Sequence, residues 1–281
     1  MLIFSYSRNG FSINHTVDEH PDSFNFQMHV HSNCELYYFI SGKGYYTVEG
    51  NNYPLTPGAI MIMRGGETHK LHISDSIPYE RITIHFDPQE LSFQPEEVKR
   101  IFYERPLGKN NLVECSDSSR RFVFSCLNRL CEINKSSTEE EIFAYFLPVI
   151  YEISKNLSYN SSSEDFSQKS KSDSELVVKI IAYINEHLTE IKNLEEIEQY
   201  FYFSRSYLNK IFKNKTGSTI WNYIVLKRLL NAQNDIKMGK SAAVAAAMNG
   251  FGDYSSFYRQ YKAKFGTLPL LDRNLTSKKV N

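Results

Sequence analysis

Four residues whose side chains bind metals or polar ligands fall at informative intervals near the start of the chain: His29, His31, Glu35 and, further on, His69. In extended strand segments side chains alternate with period two, so His29, His31 and Glu35 share one face. Joined by His69, three imidazoles and one carboxylate make a set able to hold a divalent transition metal such as Zn, Fe, Mn or Ni. The same groups also suit the polar wall of a metal-free pocket for a small-molecule effector, or histidines hydrogen-bonded for structural reasons alone. Tyr37, Tyr46 and Arg64 are further candidates for the pocket, since aromatic rings pack against sugar faces and Arg binds carboxylates. The residue types leave these readings open, and no motif calls for another cofactor.

A second set of chemistry-bearing residues lies in the last hundred positions, where one layout of small helices occurs twice. The first copy has a supporting helix over 194–200, Ser204 as N-cap of the next helix, and a buried stripe of Tyr207, Leu208, Ile211 and Phe212. That stripe leaves Arg205, Ser206, Asn209, Lys210 and Lys213 outside. The second copy has a supporting helix over 241–248, a turn at 249–252 and a helix over 253–265, with Tyr254, Ser255, Ser256 and Arg259 outside. Two short helices around a tight turn, the second carrying exposed polar residues, form the helix-turn-helix pattern that enters the major groove of double-stranded DNA. Asn, Arg and Lys reach base edges, whereas Lys213, Lys215, Lys262 and Lys264 suit phosphates. Tyr254 and Tyr258 could equally be packing residues. An intervening helix over 219–237 would be ~28 Å long, close to the ~34 Å turn of duplex that separates two reading heads.

These sites need elements to position them. Over 1–90, short runs of Tyr, Phe, Ile, Val and Thr are broken by turn signals at 41–44, 49–52 and 56–58, predicting strands over 36–40, 45–48, 59–63, 69–73 and 81–86. From about 95 the period becomes helical: Phe122, Val123, Cys126, Leu127, Leu130 and Cys131 share a face. Thr138 with Glu141 reads as a capping box for a second helix, which Pro148 should kink. These two helices could close a barrel or pair with a second copy of the chain. Eight serines within 158–174 predict a flexible linker.

Charge separates the halves. Net charge is zero, but 175–281 holds 16 Lys and Arg against 9 Asp and Glu, and the remainder holds 16 against 23. A surplus of seven positive charges suits a nucleic-acid partner for the C-terminal half alone. The four cysteines form no CxxC pair, which predicts reduced thiols in a cytoplasmic protein. Neither a secretory leader nor a membrane-spanning run is expected.

The segments Ser-Arg-Ser-Tyr-Leu-Asn-Lys-Ile-Phe-Lys (204–213), Thr-Gly (216–217), Asn-Gly-Phe-Gly-Asp-Tyr-Ser-Ser-Phe-Tyr-Arg-Gln-Tyr-Lys (249–262) and Gly-Thr-Leu-Pro-Leu-Leu-Asp-Arg (266–273) resemble the AraC/XylS family of bacterial transcription regulators over about 180–273. The chain departs from that pattern in the alanine run opening the second supporting helix, and at Asp272, where a Tyr is usual. In the N-terminal half, His29, His31, Glu35 and Gly42, then Gly58, Arg64, Gly66 and His69, have the spacing of the two cupin motifs, with Arg64 where cupins often have Pro.

The resemblance implies an α+β chain. A cupin-like sensor barrel with a helical dimerisation segment (about 95–157) would occupy 1–157, the Ser-rich linker 158–174, and an all-α double helix-turn-helix domain 175–281. It implies a homodimeric regulator, commonly an activator working through RNA polymerase, whose barrel binds a small molecule such as a sugar. Sensor domains of this family often keep the cupin residues while binding an organic effector. The alternative is a metal-dependent cupin enzyme with an attached DNA-binding domain.

Overall fold

The structure is a computed structural model and describes residues 1–8, 10–22, 26, 28–88, 96–159 and 171–272. The chain divides into two compact units, Met1–Ser167 and Gln168–Asn281. The expected linker falls mainly on 160–170, outside the described residues, and so does Arg273. The ends of that stretch are helical, since one helix runs through Tyr159 and the next begins at Lys171.

The first unit is built on strands β1 (Leu2–Arg8), β2 (Phe11–Asp18), β3 (Cys34–Ser41), β4 (Gly44–Val48), β5 (Asn51–Leu55), β6 (Ile60–Met63), β7 (His69–Ile73), β8 (Tyr79–Phe86) and β9 (Leu112–Val113). They form two antiparallel sheets, ordered β1-β2-β8-β3-β6-β9 and β5-β4-β7. The β-rich fold is as expected, but the barrel is open: two sheets face one another without closing into a single hydrogen-bonded ring.

Alternation along three strands sorts their side chains into two cores. Cys34, Leu36, Tyr38, Ile60, Ile62, Ile82, Ile84 and Phe86 point outward, where helices cover them. Tyr37, Phe39, Met61, Met63 and Tyr79 point inward, against Tyr46, Val48, Leu55, Leu71 and Ile73 of the smaller sheet. β3 therefore reads as a nearly continuous apolar run, as a strand buried on both faces must. β4 and β5 are joined by Glu49 and Gly50, both with positive φ (46° and 81°), the twist-matched two-residue hairpin. The strained Glu49 is held by its carboxylate, which accepts from the Thr68 amide and hydroxyl.

The outer face is covered by α1 (Glu96–Tyr103), α2 (Asp117–Leu130) and α3 (Glu139–Tyr159). The capping box forms as expected: the Thr138 amide donates to Glu141 and the Glu141 amide to Thr138 Oγ1. Helix α3 continues through Pro148 and buries Ile142, Phe146, Val149, Ile150 and Ile153. On α2, Val123, Cys126, Leu127 and Leu130 are buried, but Phe122, expected on the same face, is exposed. It lies at the edge of the stripe, ~100° round the helix from the buried Val123.

The second unit comprises α4 (Lys171–Glu186), α5 (Leu194–Phe201), α6 (Arg205–Thr216), α7 (Ile220–Lys237), α8 (Ala242–Met248) and α9 (Tyr254–Phe265). Its two cores share α7. Ile220, Tyr223 and Ile224 pack with α4, α5 and α6, whereas Leu229, Ala232 and Ile236 pack with α8 and α9. Of the alanine run, Ala245 and Ala246 are buried against α7, and Ala243 and Ala247 face outward. Between the cores sits Arg228, 4% exposed. Its guanidinium donates to the carbonyls of Leu188 and Ile191, before α5, and of Gly250, before α9. Gly250 has φ +78°, and a Cβ there would come within 2.7 Å of Thr189 O, so only glycine permits this approach.

No described helix is long and apolar enough to cross a membrane. Replacing Arg228 by Met leaves three carbonyls short of a donor, at ~1–3 kcal/mol per buried group. Denaturant unfolding of Arg228→Met should show the second unit losing at least ~2 kcal/mol, with Arg228→Lys recovering only part because it lacks the planar fork. Wild-type stability in Arg228→Met would remove Arg228 as the brace.

Candidate functional site

On the inner face of the first unit the histidines and the carboxylate do come together. Glu35 on β3 is 2% exposed, and its Oε2 lies 3.0 Å from His31 Nε2 and 3.1 Å from His69 Nε2. The His31 contact is a hydrogen bond, and His69 Nε2 makes a close ion-pair contact with the same oxygen. The candidate ligand atoms of His29, His31, Glu35 and His69 all lie within 4.8 Å of one another. Backbone bonding sets this up. His29 and His69 exchange both amide–carbonyl bonds at 3.0 Å, and the Gly66 amide donates to His31 O. Gly65 makes room, because a Cβ there would lie 2.1 Å from Ser32 O.

A fifth residue joins them. His85, on β8 directly opposite Glu35, places Nε2 3.4 Å from the same carboxylate oxygen. Sequence spacing missed it, since only the β3–β8 register brings it into place. Burial pushes the Glu35 carboxyl up, but the three imidazoles around it outweigh burial and hold it well below the usual carboxylate range. Burial lowers His31, while for His69 the hydrogen bond and charge of Glu35, with the Glu67 carbonyl and charge behind them, overcome burial and raise it.

Tyr37 and Tyr46 extend the cluster as a buried aromatic wall, with ring centroids 4.9 Å apart and Tyr46 6.1 Å from His69. The Tyr37 and Tyr79 hydroxyls lie 2.6 Å apart. Arg64 does not join this wall. Its guanidinium donates to Tyr103 O at the end of α1, on the helix-covered side of the sheet, because alternation after the inward Met63 turns the next residue outward. The guanidinium beside the wall is instead that of Arg81, 4.5 Å from the Tyr79 ring centre and paired with Asp18.

In the second unit, α6 and α9 are each sharply begun and ended. Ser204 caps α6 through the Tyr207 amide and Asp253 caps α9 through the Ser255 and Ser256 amides, while Gly217 and Gly266 end them in the left-handed conformation. Their buried stripes, Leu208, Ile211 and Phe212, then Phe257 and Tyr261, set the helix phase. That phase leaves Arg205, Ser206, Lys210 and Lys213 exposed on α6, and Tyr254, Ser255, Arg259 and Lys262 on α9. Tyr258 and Ser256 are half-buried, the latter accepting from Gln260.

Asn209 is the correction. Expected on the outer face, it is half-buried, and its Oδ1 accepts from the Ile220 amide at the start of α7. It lies beside Leu208 at the boundary of the buried stripe, where a short amide side chain reaches the free amide of the next helix. Asp272, the departure from the family pattern, is also buried, accepting from Tyr261 on α9 and Gln233 on α7. A carboxylate there supplies the acceptor that joins both helices.

Residues 16–142 match the AraC-like ligand binding domain, and residues 198–274 match a helix-turn-helix domain. The chain is 23% identical over 266 residues to the Msm operon regulatory protein of Streptococcus mutans serotype c, covering 92% of this chain and 90% of that protein. It is 22% identical over 259 residues to the HTH-type transcriptional activator RhaR of Mannheimia succiniciproducens, covering 90% and 89%. Among solved structures, ToxT from Vibrio cholerae O395 aligns with a TM-score of 0.37 and 15% identity, over 93% of this chain and 96% of that one.

Asn209→Ala should lower stability by about 1 kcal/mol, the worth of a lost helix-start acceptor, whereas Lys210→Ala should leave the unfolding midpoint unchanged. Equal midpoints for both would return Asn209 to the outer face.

Proposed function

Because the chain belongs to the AraC family of transcription regulators, with a ligand-binding domain followed by a helix-turn-helix DNA-binding domain, we propose that α6 and α9 read two successive major-groove segments of one promoter site. The observation that carries this reading is the pair of separately capped helices fixed to one brace, α7, each with a solvent-facing row of Arg, Lys and Ser. Arg205, Ser206, Lys210, Tyr254, Ser255, Ser256 and Arg259 contact bases or nearby sugars. Lys213 and Lys262 hold phosphates, and in the last turns of their helices they also complement the helix dipole. Ser204 acts chiefly as a cap.

The inner face of the first unit receives a small-molecule effector, a sugar among the candidates. His29, His31, Glu35 and His69 form its polar side, and Tyr37 and Tyr46 its aromatic side. A ligand shifts DNA affinity only by binding one conformation better than another, and that differential couples the two units. The active species is a homodimer joined through α2 and α3, which keep Phe122, Tyr145 and Tyr151 exposed. It acts in the cytoplasm as an activator that engages RNA polymerase. The relatives named above are a regulatory protein and a transcriptional activator, which supports a regulator without catalytic activity over a cupin enzyme carrying a DNA-binding tail.

Arg259→Ala should weaken binding to the cognate site by ~1–3 kcal/mol, the worth of a bidentate base contact, and leave random DNA nearly unaffected. Lys213→Ala should weaken both and lower the salt slope by about one. Quantitative mobility shifts over a salt series measure both effects. Equal loss on cognate and random DNA in Arg259→Ala would assign that side chain to the backbone and leave α9 without a reading role.

A further inference from the structure

We infer that the effector is a neutral oligosaccharide, with one sugar held beside His31 and Glu35 and the others lying across the inner face of β8, β2 and β1. This rests on the sugar reading of the first unit and adds the length of the ligand and the residues that measure it. The two sheets are unequal, six strands against three. Among the described residues, the buried inner core draws on β3, β6 and the smaller sheet, with Tyr79 from β8 and no residue from β1 or β2. The outer faces of those same strands are nonetheless buried, through Tyr6, Phe11, Ile13, Ile82 and Ile84. Alternation therefore leaves the inner side chains of β1, β2 and β8 within reach of solvent, and the sequence puts polar residues there.

Register arranges these residues in rows that run outward from the cluster. Glu35 pairs with His85, His85 with Ser12, and Ser12 with Ser7. The next row is Tyr37, Thr83, Asn14 and Ser5, and the one beyond it is Phe39, Arg81 and Thr16. The members on β8 and β2 are all half-buried, and Ser5 and Ser7 are exposed. At ~4.8 Å between neighbouring strands, a row extends ~14 Å from β3 to β1, a span for two or three sugar rings end to end. Hydroxyl and amide groups both donate and accept, which matches the hydroxyls of a sugar. Charge points the same way. Asp18, opposite Tyr79, pairs with Arg81 at 3.2 Å, so these two charges cancel. A phosphate-bearing chain would meet no surplus of cations here, and the first 174 residues hold 16 basic against 23 acidic side chains. An apolar surface laid on these rows would leave their polar groups unpaired. Open antiparallel faces of other small β folds do take oligosaccharides.

The test applies the full chain to an array of neutral mono-, di- and trisaccharides, with calorimetry on every sugar that binds. A di- or trisaccharide should bind at least ~10-fold more tightly than the monosaccharide that forms its end. Thr83→Val keeps the side-chain shape and the strand preference while removing the hydroxyl. It and Asn14→Ala should each cost the longer sugar roughly 5- to 10-fold in affinity, and leave the monosaccharide within about twofold of wild type. His15→Gln, on the outward face of β2 between Asn14 and Thr16, should match wild type with every sugar. A monosaccharide bound as tightly as the longer sugars, or an advantage of length untouched in both Thr83→Val and Asn14→Ala, overturns the proposal and leaves a single-sugar site. Binding of no sugar of any length overturns the sugar reading of the first unit, and this proposal with it.

Discussion

The first unit is organised around the burial of β3 on both faces. A strand between two cores must feed each with alternate residues, and β3 does so with Cys34, Leu36 and Tyr38 outward and Tyr37 and Phe39 inward. Glu35 falls in the inward set. An ionised carboxylate in such a place is costly unless charge or hydrogen bonds surround it. Its surroundings come from both sheets: His85 from β8, His69 from β7, and His31 from the segment leading into β3. The polar cluster thereby joins two sheets that share no continuous ladder, and it fixes the position of the aromatic wall beside it.

The second unit solves a different problem, which is to hold two small cores at a set separation. Neither α5–α6 nor α8–α9 encloses a core alone, and both complete themselves on α7. Arg228 adds a polar tie where those cores meet. Its guanidinium is satisfied by main-chain oxygens on either side. Asp272 and Asn249 reinforce the second core against α7, through Gln233 and Asp235 respectively.

Much of this was legible in the sequence because it is local. Period-two and helical patterns marked the five central strands and the helices, and Ser204, Thr138 and Glu141 marked helix starts that the structure contains. The chemistry of His31, Glu35 and His69 was readable from spacing, since adjacent strand segments bring such residues to one face. What escaped depends on register and on which side of a boundary a residue falls. His85 needed the β3–β8 pairing, which one sequence does not specify. Arg64 sits one strand position past the inward Met63, where a single step reverses the side chain, and Asn209 sits one helix position past Leu208, only ~100° round the axis and still within reach of the next helix. Arg228 gives no sequence signal, because its partners are main-chain carbonyls that every residue type possesses.

The use of main-chain oxygens by Arg228 has a consequence for how such a protein can diverge. The brace depends on one guanidinium, one glycine and carbonyls that every residue type possesses. Substitutions along the exposed rows of α6 and α9 therefore leave the separation between them untouched. A lineage descended from this chain can exchange the letters it recognises one at a time, while the length of the word stays the same.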